Sequence, residues 1–164
     1  GRRFEILTGG GHSVCQAMLL CRDERLFFAA DQVLPEISPN IGVLAMSPEA
    51  DPLGLYLESL SRIRRDVDDD VLVLPGHRLP FDGLHKRVDE LVSHHESRCR
   101  EVAIACRERP LSAAEIQPVL FKRPLDPHGM SFAFSETLAH VNMMVREGRL
   151  AGKVFDGVYR FVTA

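Results

Sequence analysis

Three times in its first half the chain runs through a short apolar stretch and breaks at a turn bearing an imidazole or a carboxylate. Phe4-Glu5-Ile6-Leu7 leads into Gly9-Gly10-Gly11-His12-Ser13, and Leu26-Phe27-Phe28-Ala29-Ala30 leads into Asp31-Gln32. Val71-Leu72-Val73-Leu74 leads into Pro75-Gly76-His77. Apolar runs of this length, bounded by turn residues, read as strands that deliver the polar side chain from a strand end. Two imidazoles and a carboxylate at one edge of a sheet can hold a transition metal. Any one of them alone reads as a polar turn residue. The repeated context favours a site, so His12, Asp31 and His77 are the candidate metal ligands.

Other chemistry is excluded more easily than it is found. The three glycines allow positive φ and close approach to a ligand, but no Gly-Lys-Ser/Thr follows, so they are not a phosphate loop. Asp66-Val67-Asp68-Asp69-Asp70 starts like a calcium loop. Position six would be Val71 and position twelve His77, where glycine and glutamate are needed, so the run is a solvated turn. The four cysteines, Cys15, Cys21, Cys99 and Cys106, form no C-x-x-C pair and read as reduced core thiols.

The 164 residues allow one ordinary domain, or one with a small appendage. A formal charge of −3 gives no general attraction to nucleic acid or anionic lipid. No apolar run approaches about 18 residues and no targeting pattern is visible, so a cytoplasmic location is expected.

Leu53, Tyr56, Leu57, Leu60 and Ile63 recur at helical spacing after Asp51-Pro52, an N-cap followed by proline at the first helical position. Between Asp31 and that helix, residues 32–50 read as an ordered loop bordering the site. A single apolar stripe from Leu84 to Cys106 predicts one long helix over about 83–107. His94 and His95 on it are adjacent, so they point about 100° apart and do not share an ion easily. His95 is expected to be packed or hydrogen-bonded. Ser112-Ala113-Ala114-Glu115 is a capping box opening a short helix. A second helix follows, with Phe134, Leu138, Val141 and Val145 on one face and Gly148 as its stop. Asp156-Gly157 then joins two strands in a hairpin. The second helix and hairpin carry nearly balanced charge, which argues against duplex DNA binding.

Taken together, Thr8-Gly9-Gly10-Gly11-His12-Ser13, Ala29-Ala30-Asp31-Gln32-Val33-Leu34-Pro35, Ser38-Pro39-Asn40-Ile41 and Leu74-Pro75-Gly76-His77 resemble the C-terminal half of a metallo-β-lactamase-fold hydrolase. The branch resembled is the glyoxalase-II-like one, and the tail from Gly83 onward resembles a helical, winged-helix-like extension. The fold class implied is α+β: half of an αββα sandwich over residues 1–108, followed by the extension over residues 109–164. The family's first metal motif, His-x-His-x-Asp-His, does not occur in these residues. The resemblance thus implies an N-terminal half outside this chain.

What the resemblance implies about chemistry is specific. His12 would complete the ligand set of a first metal, Asp31 would bridge two metals, and His77 would bind the second. The metals are expected to be zinc, two per intact enzyme, with partial or no occupancy in this chain. A bridging water, acidified by the cations, would attack an ester, thioester, lactam or phosphodiester of a small-molecule substrate. The alternative is a non-catalytic binding or assembly module that lacks half its ligands. With two protein ligands per metal instead of the usual three, the chain is expected to be inactive alone. The apolar bulk of Phe4, Ile6, Leu19, Phe27, Phe28, Val71 and Val73 is expected to seek a partner, either the N-terminal half or a second copy.

Overall fold

The structure, a computed structural model, describes all 164 residues. The elements run β1 (Glu5–Gly9), β2 (Gln16–Cys21), β3 (Leu26–Ala30), α1 (Pro52–Asp66), β4 (Leu72–Pro75), α2 (Leu84–Glu108), α3 (Ala113–Leu120), α4 (Pro127–Arg146), β5 (Leu150–Phe155) and β6 (Val158–Thr163). This mixed α+β composition is the expected fold class. Two compact units share the chain. The first holds Gly1–Asn40 and Gly54–Ser93, and the second holds Ile41–Leu53 and His94–Ala164. The division falls inside α2, where the sequence suggested a boundary at 108/109.

In the first unit the sheet order is β1-β2-β3-β4. β1 and β2 pair antiparallel, as do β2 and β3, while β3 and β4 pair parallel. The short Arg22–Arg25 turn permits the antiparallel step, with Arg25 at φ +52°. The parallel step needs a long crossover, and the stretch containing α1 provides it.

Strand alternation gives the sheet two unlike faces. Leu20, Phe27 and Val73 stand side by side in register and are buried, with Met18 on the same side. Tyr56, Leu60 and Ile63 of α1 are buried in the same unit, as are Leu84, Val88 and Leu91 from the start of α2. The other face is open. Ile6 pairs with Leu19 and Leu19 with Phe28, and all three are exposed, Ile6 by 72%. Phe4 packs edge-on against Phe28 at 5.9 Å and is itself half exposed. The seven apolar residues grouped in the sequence therefore divide. Phe27, Val71 and Val73 are buried, and Phe4, Ile6, Leu19 and Phe28 form the exposed face.

The second unit is built around the C-terminal part of α2, which buries His95, Cys99, Val102 and Cys106. Ser112 caps α3: its hydroxyl accepts from the Glu115 amide, and its own amide donates to the Glu115 carboxylate at 2.9 Å. Asp126 caps α4 by accepting from Gly129 N at 2.7 Å. β5 and β6 form the hairpin, with Asp156 at φ +48° and Gly157 at +76°, the left-handed pair of a type I′ turn.

The buried line on α4 differs from the expected one. Ala133, Thr137, His140, Val141 and Met144 are buried, at the i, i+4, i+7 spacing of a single face. Phe134 lies off that line and is 39% exposed. Apolarity alone misplaced the face, because two polar residues, Thr137 and His140, sit at its centre. Residues 41–50 also belong here. Asn142 Nδ2 donates to Pro48 O and Ala50 O, both at 2.9 Å, and Val43 N donates to Ser135 O. No helix is long and apolar enough to cross a membrane.

Candidate metal centre

Each candidate ligand arrives at its place through a local departure from regular strand geometry. The β3–β4 register shifts between Phe28 and Ala30, and Ala30 takes the left-handed conformation at φ +47°. A shift of this kind, with a non-glycine residue in a disfavoured region, re-aims the next side chain off the strand. That side chain is Asp31. Past β4, Arg78 is also left-handed at φ +75°, turning the backbone directly after His77. Gly11, at φ +104°, makes the turn before His12, and its amide donates to Ser13 O at 3.1 Å.

The three side chains converge. His77 Nδ1 lies 2.6 Å from Asp31 Oδ1, and His12 Nε2 lies 3.5 Å from Asp31 Oδ2. Each carboxylate oxygen therefore faces a different imidazole. His12 Nδ1 is 3.0 Å from the carbonyl of Asn40. A carbonyl can only accept, so Nδ1 carries a proton and Nε2 is the nitrogen turned toward Asp31. His77 Nδ1 donates to the carboxylate, a short charge-assisted bond. Asp31 is three-quarters buried, whereas His77 is 67% exposed, so the cluster opens to solvent on the His77 side.

Four residues that support this cluster have no site role in the sequence reading. Gly76 packs against Asp31 so tightly that a β-carbon would fall on Oδ1, and its amide donates to Ala30 O at 2.8 Å. Gln32 is fully buried. Its side chain donates to Gly10 O at 3.0 Å, tying the glycine turn to the residue after Asp31. Tyr56 donates its hydroxyl to Gln32 O at 3.1 Å, and burial holds its phenol well above the usual range. Asn40 contributes the carbonyl that sets the His12 tautomer. The one sequence signal for Gln32 was its place beside Asp31. The close approach expected of the glycine turn is to the protein itself, since a β-carbon on Gly9 would meet Ser59 Oγ and the Gln32 side chain.

His95 is buried and its Nδ1 lies 3.3 Å from His140 Nε2. The expectation of a packed, hydrogen-bonded side chain agrees with this, and His94 contacts it ring edge to face at 5.1 Å.

Comparison with known proteins bears on the fold. Residues 99–164 match the family described as metallo-beta-lactamase-like, C-terminal domain. Among solved structures, a beta-lactamase domain protein from Burkholderia ambifaria superposes with a TM-score of 0.96 at 43% identity, over 100% of this chain and 49% of that one. A metallo-beta-lactamase family protein from Thermus thermophilus superposes with a TM-score of 0.85 at 30% identity, over 100% of this chain and 50% of that one. Among curated proteins the chain has no match. The class is therefore that of the metallo-β-lactamase fold. Within it the chain corresponds to a C-terminal half, spanning about half the length of both similar structures.

Proposed function

We propose that the chain is the C-terminal half of a metal-dependent hydrolase and contributes His12, Asp31 and His77 to its metal centre. The observation that carries this reading is the approach of two imidazoles to separate oxygens of one carboxylate. Imidazole nitrogen and carboxylate oxygen suit zinc, and a carboxylate whose two oxygens face different histidines suits a bridge between two cations. When bound, the metals acidify a water and polarise the bond to be cut. The chain's own residues prepare the site. Asn40 holds His12 in the tautomer that offers Nε2, and Gly76 leaves room for the Asp31 carboxylate. His77 Nδ1 donates to Asp31 Oδ1 at 2.6 Å, which holds together two side chains that would both serve as ligands.

The substrate class is an ester, thioester, lactam or phosphodiester. A catalytic zinc takes three protein ligands and a water, and His12 with Asp31, or Asp31 with His77, supplies two. The remaining ligands belong to the half of the fold outside this chain. The same half is the proposed partner of the open face of Phe4, Ile6, Leu19 and Phe28. Each 100 Å² of that face covered is worth about 2.5 kcal/mol.

The incomplete ligand set also supports a second reading, a binding or assembly module without turnover. Metal analysis and turnover assays on the longer protein separate the two. The hydrolase reading expects two zinc ions per molecule and activity abolished by Asp31→Ala. A longer protein without metal, or one whose activity survives Asp31→Ala, overturns it in favour of the module.

A further inference from the structure

A second cluster of metal-capable donors lies wholly in the second unit. The side chains of His95 on α2 and of Glu136 and His140 on α4 are buried, and one donor atom from each lies within 4.8 Å of the other two. We propose that His95, Glu136 and His140 form a separate divalent-metal site, of zinc type, that ties α2 to α4.

The placement follows from helix geometry. Glu136 and His140 are four apart on one helix, so they share a face, and that face is the buried one. His95 faces them from the long helix. The separation of His95 Nδ1 and His140 Nε2 is 3.3 Å. Two nitrogens each about 2.0–2.1 Å from a tetrahedral zinc stand about 3.3–3.4 Å apart. His140 also has the outer hydrogen bond that zinc-binding histidines use. Its Nδ1 donates to Glu136 O at 2.8 Å, which fixes the ring and turns Nε2 toward His95.

The donors are in the right protonation state. Burial pushes His95 down to about 3 and His140 down to about 4, so both imidazoles are neutral at physiological pH. Two neutral imidazoles and one carboxylate match the three-ligand zinc sites that leave a fourth position for water. One neighbour opposes a cation. Arg98 Nη2 stands 3.9 Å from Glu136 Oε1, and its guanidinium lies 4.5 Å over the Phe121 ring. The ion and Arg98 would therefore share the carboxylate. A metal here would act on stability, by cross-linking two helices of a small unit.

Zinc and cobalt titrations of the chain test the proposal. A His12→Asn/Asp31→Asn/His77→Asn background removes the donors of the first centre. The expected result is one equivalent of zinc, tetrahedral visible bands with cobalt, and a raised melting temperature on zinc addition. His140→Asn retains an N–H where Nδ1 donates to Glu136 O but has no group in place of Nε2. It should weaken binding more than about tenfold and abolish the thermal shift. Glu136→Gln, which keeps shape and loses charge, should weaken binding without loss of fold. The proposal is overturned if the background protein binds no zinc, or if it binds zinc equally with either substitution.

Discussion

Gly76 lies so close to Asp31 that the carboxylate occupies the space a β-carbon on Gly76 would need. Its backbone is outside the left-handed region, so glycine is required here for room alone. Gly76→Ala is expected to push Asp31 out of line with His12 and His77. Zinc affinity of the first centre should fall by tenfold or more, with a stability loss of about 1–3 kcal/mol from overpacking. Gly10→Ala is the control. Its new β-carbon would meet Leu55 Cβ at 3.5 Å, an ordinary contact, and stability should stay within about 0.5 kcal/mol. Isothermal titration with zinc and urea melts of both variants give the comparison. Equal zinc affinity in the two would remove Gly76 from the site.

The open face of the sheet makes a second expectation. The chain alone should self-associate at low micromolar concentration, because Ile6, Leu19 and Phe28 form a contiguous exposed apolar row. Ile6→Glu with Phe28→Thr should shift light scattering toward the monomer while leaving the circular dichroism spectrum unchanged. A wild-type chain that is monomeric at those concentrations would show that the face needs no partner.

Much of this was legible in the sequence for a physical reason. His12, Asp31 and His77 each follow an apolar strand and a turn, and period-two patterning with turn residues survives in sequence. The capping box at Ser112 and Glu115 and the Asp156-Gly157 turn are equally local, and both form. What escaped the sequence depends on distant partners. Gln32 matters because Gly10 O comes to it from the turn after β1, and Asn40 because its carbonyl meets His12 across twenty-eight residues. The α4 face was misjudged because His140 and Thr137 are polar yet buried, their hydrogen bonds closing inside the unit. For His95 the sequence predicts a packed or hydrogen-bonded side chain, but not that its hydrogen-bond partner is His140, on another helix.

The thiols should differ sharply in reactivity. Cys15 is exposed, whereas Cys21, Cys99 and Cys106 are buried. Burial pushes the Cys99 thiol up to about 12 and Cys106 up to about 11, and the thiolate is the reactive form. One thiol per native chain should react rapidly with a disulfide reagent at pH 8, and all four after denaturation. Cys15→Ser should eliminate the fast phase. Two or more fast thiols would mean that the core around α2 opens readily.

The last expectation concerns acid stability and the start of α3. Glu115 accepts from Arg109 at 2.8 Å, from Ser112 N at 2.9 Å and from the Ser112 hydroxyl at 2.8 Å, and it pairs with Arg160 of β6. The Arg109 hydrogen bond, followed by those from Ser112, holds its carboxyl down at about 2, against an ordinary value of 4.5. The folded state therefore favours the ionised carboxylate more than the unfolded state does. That contribution is complete above about pH 4.5 and is lost as pH falls toward 2, where both states become protonated. Glu115→Gln should lower the melting temperature at pH 7, and the gap from wild type should close between pH 4.5 and 2. Added salt should narrow the gap at pH 7, since the pairs with Arg109 and Arg160 are partly exposed. Melting curves of the two proteins from pH 2 to 7 decide the matter. A gap that stays constant across this range would show that the loss in the variant comes from packing, with the Glu115 charge contributing nothing.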